Sequence, residues 1–217
     1  MPSPDGNEGA ALSFDLFGTL VAVDPPPDPA AAVAAALRER DVSVPSDWHE
    51  RYASPTADVP EGVERSLYDH VEAALTAGRD ADAERGAIER AVDAAFDPSV
   101  VARDGAATAV AAASESGPVG VLSNTAVPGL ATRAVERASL PGERIDAVVT
   151  SVGCGWRKPD PRAFRAVADA LSVPASQLIH VGDDPATDGG APSAGARFVS
   201  IEETPLESVP TMVEGRP

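Results

Sequence analysis

Lysine is almost missing from this chain. Of its 17 basic residues, 16 are arginine, and Lys158 stands alone. Cysteine is as scarce: Cys154 has no second cysteine to pair with, so no internal disulfide can form, which fits a reducing cytoplasm. No apolar run approaches the ~18 residues that a membrane-spanning helix needs. Met1 to Ala10 has neither a basic n-region nor an apolar h-region, so it is expected to be a loose tail rather than a signal peptide. Basic clusters are absent too, and with a formal charge of −17 the chain lacks the positive footprint that nucleic acid requires.

What is present suits a globular enzyme-sized domain. The 217 residues suffice for one hydrophobic core, or a core plus a small insert, and 43% of them are apolar. The excess of acid with almost no lysine suggests adaptation to a high-salt (halophilic) cytoplasm, where screening makes such a charge tolerable. A GC-rich genome would also favour arginine. Either way Lys158 stands out, because a compact ammonium does what a planar guanidinium cannot.

Proline divides the chain. Asp24-Pro25-Pro26-Pro27-Asp28-Pro29 can be neither helix nor central strand, and a second break falls at Asp97-Pro98. Between them the pattern is helical. Pro29–Arg40 is alanine-rich. Glu61–Ala77 carries Val63, Leu67, Val71 and Leu75 at i, i+4 spacing, and Asp80–Phe96 carries Ile88, Val92 and Phe96. Residues 23–103 therefore read as a small all-helical insert. Outside it, apolar strands at 11–14, 119–122, 145–149, 178–181 and 197–201 alternate with helices at 105–115, 128–139, 161–171 and roughly 187–194. That alternation predicts an α/β fold: a Rossmann-like doubly wound parallel sheet formed by residues 1–22 and 104–217. Ligands of such sheets bind beyond the carboxyl ends of the strands.

The strand ends carry the chemistry. The first runs into Phe14-Asp15-Leu16-Phe17-Gly18-Thr19, the second into Leu122-Ser123-Asn124-Thr125, and the fourth into Gly182-Asp183-Asp184-Pro185-Ala186-Thr187-Asp188. The third is followed by Gly155-Trp156-Arg157-Lys158-Pro159-Asp160-Pro161. Converging carboxylates repel and raise one another's pKa unless a cation sits among them. Oxygen-only ligands, few in number, suit a hard cation such as Mg²⁺. His180 lies inside a strand and reads as packed; His49 and His70 fall in the insert; Cys154 and Trp156 read as structural.

With these four segments in order, over residues 11–201, the chain resembles the haloacid dehalogenase (HAD) superfamily, and its insert resembles that superfamily's helical cap. The resemblance implies a hydrolase with Asp15 as nucleophile and Lys158 neutralising the transferring group. Ser123, Asn124, Thr19 and Lys158 would bind a small-molecule substrate. Asp15, the backbone carbonyl of Phe17 and Asp183 would hold Mg²⁺, with Asp184 and Asp188 as direct ligands or supports of the ligand set. A cytoplasmic monomer or homodimer is expected.

One position departs from the pattern. Superfamily phosphatases usually have a second aspartate two residues after the nucleophile, which protonates the leaving alcohol and later activates water. Here that residue is Phe17. Three readings follow. The first is a Mg²⁺-dependent phosphohydrolase with a modified acid step. The second is a metal-independent 2-haloacid dehalogenase, whose halide leaves without a proton and whose substrate carboxylate a residue such as Arg38 or Arg40 would hold. Asp183 and Asp184 fit it badly, since the resemblance leads one to expect Ser and Asn there. The third is a binding or regulatory relative without activity.

Overall fold

The computed structural model describes residues 10–54, 59–76 and 84–209. The N-terminal tail and the parts of two expected helices at Ala77 and at 80–83 lie outside them.

The chain begins with β1 (Ala11–Phe14), buried throughout, then β2 (Val21–Val23). Four helices follow: α1 (Pro29–Arg38), α2 (Trp48–Ala53), α3 (Leu67–Thr76) and α4 (Arg85–Ala95). Next come β3 (Val100–Ala102), α5 (Ala106–Ser116), β4 (Val119–Ser123) and α6 (Leu130–Arg137). The chain then passes through β5 (Ala147–Thr150), α7 (Ser151–Cys154), α8 (Pro161–Ala170), β6 (Leu178–Gly182) and β7 (Arg197–Ser200).

Five strands form a parallel sheet in the order β5-β4-β1-β6-β7. The chain winds from β1 to one side and then returns to the other, which makes the carboxyl end of β1 the topological switch point. Side chains alternate across the sheet. Leu12, Phe14, Val121 and Val181 face one apolar layer with α5 and α6, while Ala11, Leu122 and Leu178 face another with Phe164 and Val167 of α8.

The four helices α1–α4 have an apolar cluster of their own, built from Val33, Leu37, Trp48, Val71, Ile88 and Val92 and joined by Val127 from the sheet side. Asp28 caps α1 and accepts from the Ala31 N–H, while Pro29 occupies the first helical turn.

Several local expectations need correction. The insert is not purely helical: Val100–Ala102 pairs antiparallel with Val21–Val23, so the chain leaves and re-enters on adjacent strands. Two consecutive valines favour that pleated pairing. The helix expected from Glu61 starts at Leu67, because Gly62 has φ +80° and Val63 makes a bridge to Trp156 instead. Residues 188–194 form 3-10 turns rather than an α-helix, as two glycines and Pro192 would lead one to expect. Two short helices, α2 and α7, carried too little periodicity to be read.

Candidate active site

The four strand-end segments meet in one cavity of about 320 Å³, lined by Asp15, Phe17, Ser123, Asn124, Arg157, Lys158, Asp183, Asp184, Thr187 and Asp188. The loop after β1 is tightly wound: Leu20 and Val21 both donate backbone N–H groups to the Leu16 carbonyl. Gly18 holds φ +99°, and a Cβ there would lie 2.5 Å from Asp183 Oδ2. A side chain at 18 would thus both strain the backbone and displace the carboxylate. Thr19, fully buried, donates its hydroxyl to Asp183 Oδ1 at 2.8 Å. It does not line the cavity and bonds to Asp183, which does.

Asn124 is committed as well. Its side-chain amide donates to the Lys158 carbonyl at 2.9 Å and its oxygen accepts from the Lys158 N–H at 2.8 Å. This two-bond clamp fixes the lysine backbone across the cavity from β1. The Lys158 ammonium, 2% exposed, then donates to Asp15 Oδ1 and Asp188 Oδ1, each at 2.6 Å.

The charges respond to this burial. Burial pushes the Asp15 carboxyl up to about 6; Lys158 opposes that and Asp188 adds to it. Burial also raises Asp188, but the hydrogen bond from His180 and the charge of Lys158 outweigh it, leaving a value of about 2. His180, wholly buried, is driven by desolvation down to about 4 against the pull of Asp188. The imidazole is therefore neutral at pH 7.

Carboxylate oxygens of Asp15, Asp183 and Asp188 lie within 4.8 Å of one another. Three hard oxygen donors at that spacing can hold a cation of the Mg²⁺ or Ca²⁺ type. The Asp184 carboxylate, which also lines the cavity, accepts from the Ala186 N–H and the Thr187 hydroxyl and closes its own turn. Ser123 Oγ is buried and, among the described residues, is the one buried side-chain polar atom without a hydrogen-bond partner. Phe17 lines the cavity and packs on the sheet core.

The cavity thus brings together Asp15, Ser123, Asn124, Lys158, Asp183, Asp184 and Asp188. Arg38 and Arg40 do not line it. Four residues that sequence reasoning did not assign to the site belong to its surroundings, and one of them, Thr187, lines the cavity on the acidic loop. Arg157 lines the cavity, its guanidinium 3.3 Å from Glu64. Ser13 and His180 lie beneath it, register partners on the central strands β1 and β6. Two polar residues at interior positions of the two central strands were the available signal. The helical insert reaches the site's loops through backbone bonds: Glu64 N–H to the Gly155 carbonyl at 3.0 Å, Arg157 N–H to Gly62 at 2.8 Å, and Leu67 N–H to Ala126 at 2.8 Å.

A five-stranded parallel sheet whose switch point gathers an aspartate, a serine, a lysine and an acidic loop defines a class of hydrolases. Residues 10–195 match the model of the haloacid dehalogenase-like hydrolases, and the chain belongs to that family. It is similar to a phosphatase, MT3486, of Mycobacterium tuberculosis (strain CDC 1551 / Oshkosh), with 34% identity over 86 residues, 40% of this chain and 39% of that protein. The fold is similar to a 2-haloacid dehalogenase of Pseudomonas syringae pv. tomato DC3000, at TM-score 0.65 and 20% identity over 94% of this chain and 98% of that one. It is also similar to a HAD phosphatase of Thermococcus onnurineus, at TM-score 0.62 and 16% identity over 95% and 99%. Among the described residues no helix is long and apolar enough to cross a membrane.

Proposed function

We propose that this enzyme is a Mg²⁺-dependent phosphohydrolase acting on a small phosphorylated metabolite, with residues 23–103 closing over the site as a cap. The observation that carries this is the orphaned hydroxyl of Ser123. A buried O–H without a partner costs about 1–3 kcal/mol, and here it lines a cavity facing a buried ammonium and a carboxylate nucleophile. A phosphoryl oxygen would accept from it.

An Asp15 carboxylate oxygen attacks phosphorus, the bond from phosphorus to the leaving oxygen breaks, and an aspartyl phosphate results. Water then cleaves that intermediate to inorganic phosphate and free Asp15. Lys158 offsets the negative charge gathered on Asp15 and the transferring group. Asp15, Asp183 and the Phe17 carbonyl would hold Mg²⁺, which supplies charge neutralisation at the phosphoryl oxygens. Asp183 is fixed for that task by Thr19. We assign Asp188 to Lys158 and Asp184 to its own turn.

Phe17 moves no proton. General acid–base help is worth roughly 10²–10⁴ in rate, so substrates with good leaving groups, acyl or aryl phosphates, should turn over faster than alkyl phosphates. Phe17 also favours a second reading, a 2-haloacid dehalogenase, since halide needs no proton. Asp183 and Asp188 weigh against it: further carboxylates beside Asp15 repel a haloacid's own carboxylate.

The setting we propose is a salt-rich cytoplasm, on the grounds of the −17 charge and the single free cysteine. The test is phosphate release in molar KCl, with and without Mg²⁺, from acetyl phosphate, an aryl phosphate and several sugar phosphates. Mg²⁺-dependent release is expected, with acetyl phosphate fastest. Asp15→Asn is expected to lower it on the order of 10⁴-fold. No release from any ester, with chloride released from 2-chloropropionate, would replace this reading with the dehalogenase.

A further inference from the structure

Beneath the cavity floor lies a line of polar groups that the proposed chemistry does not touch. Ser13 Oγ is 2.8 Å from His180 Nδ1, and His180 Nε2 is 3.0 Å from Asp188 Oδ1. The same Asp188 oxygen accepts from the Lys158 ammonium, which also reaches Asp15. Ser13 and His180 are 0% exposed and Asp188 is 1% exposed. The side chain of His180 is held on its flank by Phe164 of α8, edge to face at 5.2 Å.

A serine, a histidine and an aspartate in hydrogen-bonding sequence suggest a nucleophilic triad, but Ser13, unlike Ser123, does not line the cavity that a substrate would enter. The directions of the bonds also point elsewhere. Ionised Asp188 only accepts, so His180 Nε2 carries the hydrogen and donates. In the neutral ring Nδ1 is then an acceptor, and the Ser13 hydroxyl donates to it. The chain of donors runs Ser13 to His180 to Asp188, and Lys158 donates to Asp188 from the other side. The remaining Asp188 oxygen accepts from the Asp184 N–H at 3.1 Å. Every partner of the Asp188 carboxylate is thus fixed by burial on a strand, a helix-flanked loop or its own turn. A buried polar group left without its partner costs more than the bond itself is worth. The ring therefore has a use beyond filling space, since a leucine of similar bulk would pack there without a donor.

We infer that His180 is a positioning residue for the active site: held by Ser13, it orients the Asp188 carboxylate so that this carboxylate aims the Lys158 ammonium at Asp15. The inference rests on the phosphohydrolase reading only for its kinetic arm, because the chain supplies an independent readout. Lys158 is the sole lysine, so protein labelled with ¹⁵Nζ-lysine gives a single side-chain ammonium signal.

In the unaltered protein that signal should be sharp at neutral pH, its hydrogens shielded from exchange with water. His180→Leu should broaden it into exchange and lower kcat about 10–100-fold, the range seen when a residue supporting a ligand is removed, with little change in KM. His180→Gln, which can place an amide N–H near the position of Nε2, should restore both in part. Ser13→Ala keeps the ring, removes the hydroxyl behind it, and should act in the same direction at smaller size; it decides the matter if His180→Leu does not fold. A shielded ammonium and an unchanged kcat in a folded variant lacking either group would overturn the inference. If the unaltered enzyme releases no phosphate, the proposed function fails while the lysine spectrum still decides the role of His180.

Discussion

Arg85, in the helical insert, is surrounded by Asp69, Glu72 and Glu89, all within 3.0 Å, and its side chain and all three carboxylates are more than 40% exposed. Lys158, in the sheet domain, has Asp15 and Asp188 at 2.6 Å, with none of the three more than 10% exposed. One cation and several anions make up each cluster, and by distance alone the arginine cluster is the richer. Solvent separates them. Around Arg85, water competes for every charge, and three flexible side chains lose entropy to hold one geometry. Around Lys158 burial leaves little solvent to compensate, so each group depends on the others and removing one is costly. The insert leaves its charges in solvent, and the core buries its own against one another.

The largest effect should follow from breaking the buried cluster. Lys158→Met removes the one cation from between two buried carboxylates, a change that typically costs about 3–5 kcal/mol. Thermal unfolding at pH 7 should show a Tm lower by roughly 10 °C for a chain of this size. Lys158→Arg should not rescue it, because the planar fork does not fit where a compact ammonium donates to two oxygens. Part of the loss should be recovered at pH 5, where Asp15 takes up a proton and the repulsion between Asp15 and Asp188 falls. An equal Tm deficit at both pH values would contradict the electrostatic account.

A smaller effect comes from acid alone, and its two main contributors have opposite signs. His180 is held near 4 when folded but titrates near 6.5 when unfolded, so its contribution to stability is lost as pH falls from 6.5 towards 4. Asp15 is held near 6 against an ordinary 3.8, so its contribution is present at low pH and lost as pH rises through 6. Between pH 7 and 5 these partly cancel, each worth about 1–2 kcal/mol over that window. Asp188, held near 2, adds a loss of stability only below pH 3.8. In His180→Gln only the Asp15 contribution remains in the upper window. Relative to the unaltered protein, that variant should gain stability on going from pH 7 to 5, and comparing the two Tm profiles cancels the titration of the acidic surface.

Much of this architecture is legible in the residues alone. The strand-helix alternation gave the sheet, because buried parallel strands leave apolar runs that few other structures leave. The strand-end motifs pointed to Asp15, Ser123, Lys158 and Asp183, and these meet in one cavity because loops at a switch point converge. What the sequence did not reveal was how neighbours share work. Asp184 and Asp188 are chemically identical on paper, yet one closes its own turn and the other braces the lysine, a distinction set by burial. Thr19 is expected to bind substrate, and its hydroxyl donates to Asp183, a residue 164 positions away that no local pattern pairs with it. His180 was read as packed, which is correct for its ring and incomplete for its nitrogens, since its partner Ser13 is 167 residues away in the chain. Val63 followed a helical period but pairs with Trp156, because a tertiary contact outweighed a local preference.

The smallest effect should follow from breaking the exposed cluster. Arg85→Ala removes a cation from three carboxylates at once, which by number of contacts ought to matter more than Lys158→Met. The freed carboxylates can turn to water, however, and exposed pairs contribute about 0.2–1 kcal/mol. The expected loss in low salt lies at the upper end of that range, since Arg85 also lies 5.9 Å from the ring of Tyr68 and its removal leaves three like charges together. In molar KCl the Debye length is only about 3 Å, and the loss should shrink towards the packing contribution of the side chain alone. The Lys158→Met deficit should change less with salt, because buried pairs are screened much less than exposed ones. Measuring both variants by thermal unfolding in low salt and in molar KCl tests the contrast directly. If the two deficits responded to salt alike, burial would not be what separates these clusters, and the insert's charges would have to be counted as structural.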